Sequence, residues 1–186
     1  MDWLTIAQRL PVTYNRPQMG MATPILGAVL HTTNHSAGAE TLERFQHDWQ
    51  AGQNQSAHFI VDRAGGIGQL GSLTEVAWHA GTLLGSTRYV GIEHIAKPRQ
   101  QLTDDQTEAS SKLLAVLSQT LGFPLKGLTK PVEPGVGIHN QFVRTGCGDN
   151  VFKAPDGSFA QTFSDILGRA WVLSQGPIFQ GPPPAP

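Results

Sequence analysis

A histidine stands where a short apolar stretch of the chain ends. Residues 24–30 are apolar enough to form a buried strand, and a polar break that begins with His31 follows them. A strand end would hold His31 rigidly at an open edge, which suits a ligand for a metal ion. A lone histidine in such a place is also often structural, with both ring nitrogens hydrogen-bonded inside the protein.

A second histidine, His139, precedes the only cysteine of the chain, Cys147, by eight residues. Gly146 and Gly148 flank the cysteine, and glycine lets a chain turn sharply, so Cys147 can fold back toward His139. Together with His31, these side chains would supply two imidazoles and one thiolate. The fourth position of a tetrahedral zinc would stay open, as in catalytic zinc sites. The alternative is a buried free thiol near an unrelated histidine.

A glutamate lies inside an apolar stretch, residues 89–96, whose composition predicts a strand. Burying a carboxylate is costly unless it is paired, and burial tends to raise the pKa of a carboxyl group. Glu93 is therefore a candidate general base. It could instead orient a histidine or accept hydrogen bonds from main-chain amides.

The elements that would position these residues alternate between strands and helices. The apolar patterns predict strands over residues 24–30, 57–62, 67–70, 89–96 and 135–139. They predict helices over residues 39–51, 103–121 and 164–173. A turn with two glycines at residues 63–66 is typical of a β-hairpin. The fold class is therefore α/β: one domain with a central mixed β-sheet flanked by about three main α-helices.

Local signals describe the helices in more detail. Residues 103–106 have the form of a capping box, and Gly122 is a helix stop. The residues that we expect to face inward are Leu42, Phe45 and Trp49 in the first helix, Leu113, Leu114, Leu117 and Leu121 in the second, and Ile166, Leu167, Ala170 and Trp171 in the third. Residues 1–23 have the composition of an irregular arm.

Composition limits the classes of partner. The 186 residues carry a formal net charge of −1 without a basic stripe, so we expect no nucleic-acid partner. No apolar run approaches the ~20 residues of a membrane-spanning helix, so we expect no membrane insertion. The first residues lack the layout of a secretory signal, so we expect synthesis in the cytoplasm without a signal peptide. We also expect a monomer, with one domain over residues 1–175 and a Pro/Gly-rich tail or linker start over residues 176–186.

Five stretches, in this order along the chain, resemble the zinc amidase family that includes phage lysozyme-type amidases, bacterial muropeptide-recycling amidases and animal peptidoglycan-recognition proteins. They are VLHTT at 29–33, SAHFIVD at 56–62, AWHAG at 77–81, VGIE at 90–93, and the pair His139 and Cys147. The resemblance implies N-acetylmuramoyl-L-alanine amidase activity with zinc on His31, His139 and Cys147. It also implies a mixed sheet flanked by helices, with the metal in a surface groove.

Two positions depart from the pattern of many members. Some members place a catalytic tyrosine where this chain has Ala57, and the recycling type with the same departure uses the glutamate that matches Glu93. The resemblance thus implies Glu93 as the catalytic general base. Many members have a lysine two residues before the last ligand, where this chain has Thr145, as in the animal amidases. Thr145 is the candidate catalytic residue for a hydrogen bond to the reacting oxygen.

Four further residues are candidates for substrate binding: His79, His58, Trp78 and Asn34. His79 could stabilise the oxyanion or bind substrate at the rim of the groove. His58 could orient a ligand or be a strand residue with a satisfied ring, and Trp78 could belong to the core.

We therefore expect zinc-dependent hydrolysis of the amide bond between N-acetylmuramic acid and L-alanine in peptidoglycan. The lytic settings are a phage endolysin or a secreted antibacterial effector, which would reach the cell wall after release or non-classical export. A cytosolic amidase that recycles soluble muropeptides is the third setting. Two other classes stay open: a non-catalytic peptidoglycan-binding module, and a hydrolase in which Cys147 is a nucleophile activated by His139.

Overall fold

The structure, a computed structural model, describes residues 2–12, 19–34, 41–50 and 56–177. Within these residues, six strands form one sheet: β1 (Gln8–Arg9), β2 (Gly27–Thr32), β3 (Phe59–Val61), β4 (Ile67–Gln69), β5 (Tyr89–His94) and β6 (Gly135–Ile138). The same residues form four α-helices: α1 (Leu42–Gln50), α2 (Leu83–Arg88), α3 (Asp104–Leu121) and α4 (Gln161–Ser174). A 3₁₀ turn, His139–Gln141, follows β6 directly.

The sheet has the spatial order β1-β4-β3-β5-β2-β6 and is mixed, which confirms the predicted fold class. Only the β3–β4 hairpin is antiparallel within the described sheet; β1 pairs with β4, β3 with β5, β5 with β2, and β2 with β6 in parallel. The carboxyl ends of β2, β3, β5 and β6 therefore meet at one edge. Ligands of open parallel sheets commonly bind at such an edge.

Alternation along the strands separates two faces of the sheet. Leu30 on β2 and Ile92 on β5 are fully buried in the main core, which α3 and α4 complete. His31 and Glu93 follow these residues directly, so they belong to the opposite face. The apolar residues of α1 cover part of that opposite face, around β3. The candidate chemistry thus lies on the side of the sheet away from α3 and α4.

The strand that carries His31 begins three residues later and ends two residues later than the apolar stretch 24–30 predicts. β2 runs from Gly27 to Thr32, so His31 lies inside the strand rather than after it, and all six residues are buried. Pairing with β5 continues through Thr32 because His94 lies opposite it. A polar residue can continue a strand when its side chain has partners inside the protein.

Helix α3 is held by buried polar groups as well as by its leucines. The predicted capping box is confirmed: Thr103 accepts a hydrogen bond from the Gln106 amide, and Gln106 accepts one from the Thr103 amide. The Gln106 side chain, which is fully buried, also donates to the carbonyl oxygens of Val61 at 3.3 Å and Ile95 at 3.0 Å. One residue therefore ties the start of α3 to the ends of β3 and β5.

Two elements were not expected from the sequence. The predicted irregular arm contains β1, a two-residue edge strand parallel to β4. Helix α2 carries two exposed leucines, Leu83 and Leu84, while its buried residues are Gly85 and Ser86. It therefore has no apolar stripe that could predict it, although Thr82 caps its first turn.

The predicted orientation of α4 was wrong at one residue. Trp171 is 57% exposed, whereas Ile166 and Ala170 are fully buried. Phe163 completes the buried stripe at helical spacing, and Trp171 lies one residue beyond it, rotated by about 100° toward solvent. The helix also begins at Gln161, three residues before the predicted position 164. Ala160 precedes it without a side-chain cap, so the sequence carries no local signal for this start.

The remaining boundary predictions fall partly outside the described residues. Helix α1 lies within the predicted range 39–51, and Leu42 and Phe45 are buried as expected, while the side chain of Trp49 lies outside the description. Of the tail predicted for residues 176–186, only Gly176 and Pro177 are described. None of the described helices combines the length and apolar character needed to span a bilayer.

Replacing Gln106 with leucine tests this anchoring of α3. In Gln106→Leu, the Thr103 amide and the Ile95 carbonyl lose their hydrogen bonds in a buried place, so we expect a loss of about 2 kcal/mol in the free energy of unfolding. Urea unfolding at neutral pH measures it. The control is Glu108→Gln, an exposed position on the same helix, which should change stability by less than about 0.5 kcal/mol. Equal stabilities of the two variants would contradict the anchoring role.

Candidate metal and hydrolase site

The three predicted metal ligands come together at the carboxyl edge of the sheet. His31 lies near the end of β2, His139 directly after β6, and Cys147 in the loop that follows. Their candidate ligand atoms all lie within 4.8 Å of one another. The Cys147 Sγ is 3.7 Å from the His31 Nδ1. A tetrahedral zinc with ordinary bond lengths separates a sulfur and a nitrogen ligand by about 3.6 Å, so this pair of atoms fits zinc.

Both histidines are in the form that a metal needs. Burial lowers the pKa of His31 well below its ordinary value, and the neighbouring rings of His79, His139 and His94 lower it further. Burial also lowers the pKa of His139. The two rings are therefore neutral near pH 7, with a lone pair to offer.

Among the described residues, three buried side-chain atoms have no hydrogen-bond partner, and all three belong to this site. They are both ring nitrogens of His139 and the Oε2 of Glu93. A buried polar atom without a partner costs free energy, and its presence in a folded protein calls for an explanation. A metal ion would bind one of the two His139 nitrogens and so explain why that buried atom has no partner within the protein; the residues present therefore fit a zinc ion.

The loop around Cys147 is fastened to β2 by Thr32. The Thr32 amide donates to the Cys147 Sγ at 3.3 Å, and the thiol lies 3.4 Å from the Thr32 carbonyl oxygen. The Thr32 hydroxyl accepts from the Gly148 amide at 2.9 Å. The Thr145 hydroxyl accepts from the Cys147 amide at 3.2 Å, which closes the turn before the cysteine. The thiol is thereby held beside His31 across more than one hundred residues of sequence.

The surroundings of Cys147 do not favour a thiolate nucleophile. Burial raises the pKa of this thiol to about 12, and the carboxylates of Glu93 and Asp149 raise it as well. An activated cysteine needs positive charge or a helix start nearby, whereas the charged groups beside Cys147 are acidic and only the hydrogen bonds of Thr32 lower its pKa. A coordinating metal would ionise the thiol outright. Burial and the neighbouring acidic groups therefore favour the ligand role of Cys147 over the alternative of a cysteine hydrolase.

Glu93 lies beside His31 on the neighbouring strand. Their Cα atoms are partners in the parallel pairing of β2 and β5, so both side chains are on the same face of the sheet. Burial raises the pKa of Glu93 to about 8. A carboxyl group of this kind, close to the candidate ligands, can take up and return a proton near neutral pH.

His79 and His58 lie beneath the site. His79 is 5% exposed, and its nitrogens contact the His31 Nε2 at 3.0 Å and the Tyr89 carbonyl oxygen at 2.9 Å. His58 is fully buried; it accepts from the Gly91 amide through Nδ1 and donates to the Glu75 carbonyl through Nε2, each at 3.0 Å. Substrate binding by either ring stays a prediction, and it would have to displace one of these hydrogen bonds.

Three other predicted residues surround the site in different ways. Trp78 is partly exposed, and its amide donates to the Ser56 hydroxyl. Asn34 accepts a hydrogen bond from the Thr32 hydroxyl through its side-chain oxygen, at 3.1 Å. The Thr145 hydroxyl accepts from a main-chain amide, so its own hydrogen can still be donated to another oxygen. The roles of Trp78 and Asn34 in substrate binding and of Thr145 in catalysis stay predictions.

Sequence reasoning missed three residues that shape the site: Thr32, Gly91 and His94. Thr32 follows His31 directly, so its position beside a ligand was the available signal. His94 follows Glu93 and faces the other side of the sheet, where it donates to the His31 carbonyl oxygen at 2.8 Å and contacts the Ser110 hydroxyl at 2.6 Å. A Cβ on Gly91 would lie 2.5 Å from the His79 ring, so only glycine leaves room for that ring.

The comparison with family models finds one match. The model described as N-acetylmuramoyl-L-alanine amidase matches residues 21–148, the segment that carries all three candidate ligands. Among curated proteins, no sequence matches this chain.

Solved structures share the fold at low sequence identity. The Staphylococcus aureus hydrolase AmiA, in complex with its ligand, is 15% identical with a TM-score of 0.63, and the match covers 94% of this chain and 88% of that one. A mutant endolysin from Bacillus subtilis is 22% identical with a TM-score of 0.60, covering 76% and 89%. Peptidoglycan recognition protein-LE, in complex with tracheal cytotoxin, is 18% identical with a TM-score of 0.55, covering 78% and 84%.

The buried ring of His58 predicts a loss of stability in acid. Burial lowers its pKa to about 4 from the ordinary 6.5, so the unfolded chain takes up a proton first as the pH falls. Its contribution is complete above pH 6.5 and is lost progressively between pH 6.5 and pH 4. From pH 7 to pH 5 we expect this residue to cost about 2 kcal/mol in the free energy of unfolding of the metal-free protein.

Urea unfolding of the metal-free wild type and of His58→Asn, at pH 7 and pH 5, measures this cost. Asparagine can still accept from the Gly91 amide and does not titrate, so the variant should lose about 2 kcal/mol less than the wild type. The control Leu117→Ala removes buried apolar volume without a titratable group and should keep the wild-type pH dependence. An unchanged pH dependence in His58→Asn would show that this ring is not the cause.

Proposed function

The chain belongs to the N-acetylmuramoyl-L-alanine amidase family, and from that premise we propose that it hydrolyses the amide bond between N-acetylmuramic acid and L-alanine in peptidoglycan, with zinc as its cofactor. The observation that carries the proposal is the convergence of two neutral imidazoles and one thiol beside the half-buried carboxyl group of Glu93. His31, His139 and Cys147 would hold the metal. Three protein ligands leave a position open, as catalytic zinc requires.

The metal and the chain have separate tasks in this proposal. Zinc, when bound, supplies a Lewis acid that acidifies water and polarises a carbonyl oxygen. The chain supplies the orientation: β2 and β5 hold His31 and Glu93 side by side, and the hydrogen bonds of Thr32 hold Cys147 against them. The partly buried edge limits the water around Glu93, which keeps its proton affinity high.

Glu93 is the proposed general base. It accepts a proton from the attacking water as the water oxygen bonds to the lactyl carbonyl carbon. It then returns that proton to the alanine nitrogen as the carbon–nitrogen bond breaks, which releases a free amine. A pKa of about 8 suits both transfers, because the carboxyl group can exist in either form near neutral pH. Thr145 would donate its hydroxyl hydrogen to the carbonyl oxygen as negative charge develops there.

The lytic settings, endolysin or secreted effector, are our choice for the biological role. The likeness in fold to a Bacillus subtilis endolysin supports a lytic setting. In either setting the enzyme would act on the cell wall after its release or non-classical export. Cleavage of intact sacculi rather than soluble muropeptides would distinguish these settings from a recycling role.

A peptidoglycan-binding module is the second candidate. The observation in its favour is the similarity in fold to a recognition protein whose structure contains tracheal cytotoxin. The presence of Cys147 within reach of both histidines favours the enzyme, because a pure binding module has no need for an assembled set of metal ligands.

Removing a ligand should remove the metal. We expect the wild type to contain one zinc per chain, and Cys147→Ser and His139→Ala to contain less than a tenth of that after dialysis, because each loses one of three ligands. Elemental analysis measures the metal, and release of dye-labelled fragments from cell walls measures activity. The control is Trp171→Ala, an exposed change on α4, which should keep both. Full zinc content in the ligand variants would refute the metal assignment.

Replacing Glu93 should abolish most of the activity without loss of bound zinc. We expect Glu93→Gln to retain zinc and to lose at least 100-fold in kcat, since general base catalysis contributes about 10² to 10⁴. The assay is the appearance of new amino-terminal alanine on purified peptidoglycan. Near-normal turnover with zinc bound would exclude Glu93 as the base. Binding of peptidoglycan by the zinc-loaded wild type without any cleavage would favour the binding module.

A further inference from the structure

We propose that His79 is a positioning residue that sets which nitrogen of His31 carries hydrogen, through a hydrogen-bond chain that ends on the main-chain carbonyl of Tyr89. The inference takes His31 as a metal ligand and so rests on the proposed function. It assigns to His79 a task other than contact with substrate.

The direction of the hydrogen bonds follows from the Tyr89 carbonyl, where the hydrogen-bond chain ends. A carbonyl oxygen can only accept, so the Tyr89 oxygen, 2.9 Å from the His79 Nε2, requires the hydrogen of His79 to be on Nε2. The ring is buried, which favours its neutral form with a single hydrogen. The His79 Nδ1 therefore carries a lone pair.

The hydrogen bond between His79 and His31 then fixes which nitrogen of His31 carries hydrogen. The His79 Nδ1 lies 3.0 Å from the His31 Nε2 and can only accept, so His31 donates from Nε2. The His31 Nδ1, 3.7 Å from the Cys147 Sγ, is then the atom with a lone pair, and it faces the other candidate ligands. In the opposite form of His31, two lone pairs would face each other across a buried contact, which costs free energy.

The ring of His79 has little freedom to leave this arrangement. Its ring atoms lie against the backbone of Gly91, where a Cβ would approach to 2.5 Å. The His58 ring meets it edge-on with 5.9 Å between centroids, and the Gly91 amide holds His58 in turn. His31 is thus ready to bind a metal before the metal arrives, because its ring does not have to turn and its ring hydrogen does not have to move.

Two substitutions separate this role from a merely structural one. His79→Asn keeps an oxygen acceptor near the place of Nδ1, whereas His79→Leu removes it. We expect His79→Leu to bind zinc 10- to 100-fold more weakly than the wild type, and His79→Asn to recover most of that loss. Competition with a chromophoric chelator measures the dissociation constant of zinc. The control is Leu117→Ala, buried on α3, which should lose stability and keep its zinc affinity.

A spectroscopic measurement tests the positions of the histidine hydrogens directly and does not depend on an activity assay. Long-range ¹H–¹⁵N correlation spectra of the metal-free protein report which nitrogen of each histidine carries hydrogen. We expect Nε2–H forms for both His31 and His79 in the wild type and in Leu117→Ala. In His79→Leu, the Nε2–H form of His31 should lose its dominance, and His79→Asn should restore it.

The outcomes distinguish this inference from the proposed function. An Nδ1–H form of His31 in the metal-free wild type overturns the inference, as does wild-type zinc affinity in folded His79→Leu. If neither variant folds, the wild-type spectrum still decides. Zinc binding without peptidoglycan cleavage would overturn the proposed function and leave the inference standing. Absence of zinc binding by the wild type would overturn both.

Discussion

The parallel pairing of β2 with both β5 and β6 is the constraint on which the site depends. It places His31 opposite Glu93 and Leu30 opposite Ile138, so that His139 emerges next to His31. Parallel strands end on the same edge, so three groups that are distant in sequence arrive together without a dedicated loop. Only the thiol of Cys147 depends on a loop, and the main chain of β2 itself holds that loop in place.

The apolar core and the polar groups of the site lie on opposite faces of the sheet, so the site does not disrupt the core. The face toward α3 and α4 is largely apolar, and its few polar groups are satisfied; His94, for example, bonds to Ser110 on α3. The other face has atoms without partners at His139 and Glu93. The packing of the apolar face offsets the free energy that these unpartnered atoms cost, and the atoms stay available for a ligand.

Sequence patterns that span a few residues correctly predicted the features that depend on interactions between near neighbours in the chain. The capping box at Thr103, the leucines of α3 and the mixed sheet follow from patterns within a few residues. The candidate ligands could be proposed because their residue types are rare and the family resemblance orders them. Contacts across the chain were out of reach: nothing near Thr32 indicates a bond to Cys147, and Trp171 is as apolar as its buried neighbours on α4. Helix α2 was missed since its buried residues are glycine and serine.

The carbonyl of Tyr89 has a further consequence because it belongs to the main chain. Whatever side chain occupies position 89, a main-chain carbonyl oxygen is present there as the acceptor for His79. The vulnerable position is the glycine two residues later, where a single methyl group would collide with the His79 ring. A change of side chain at position 89 would thus act on packing and stability, whereas the smallest enlargement of Gly91 would act directly on the His79 ring.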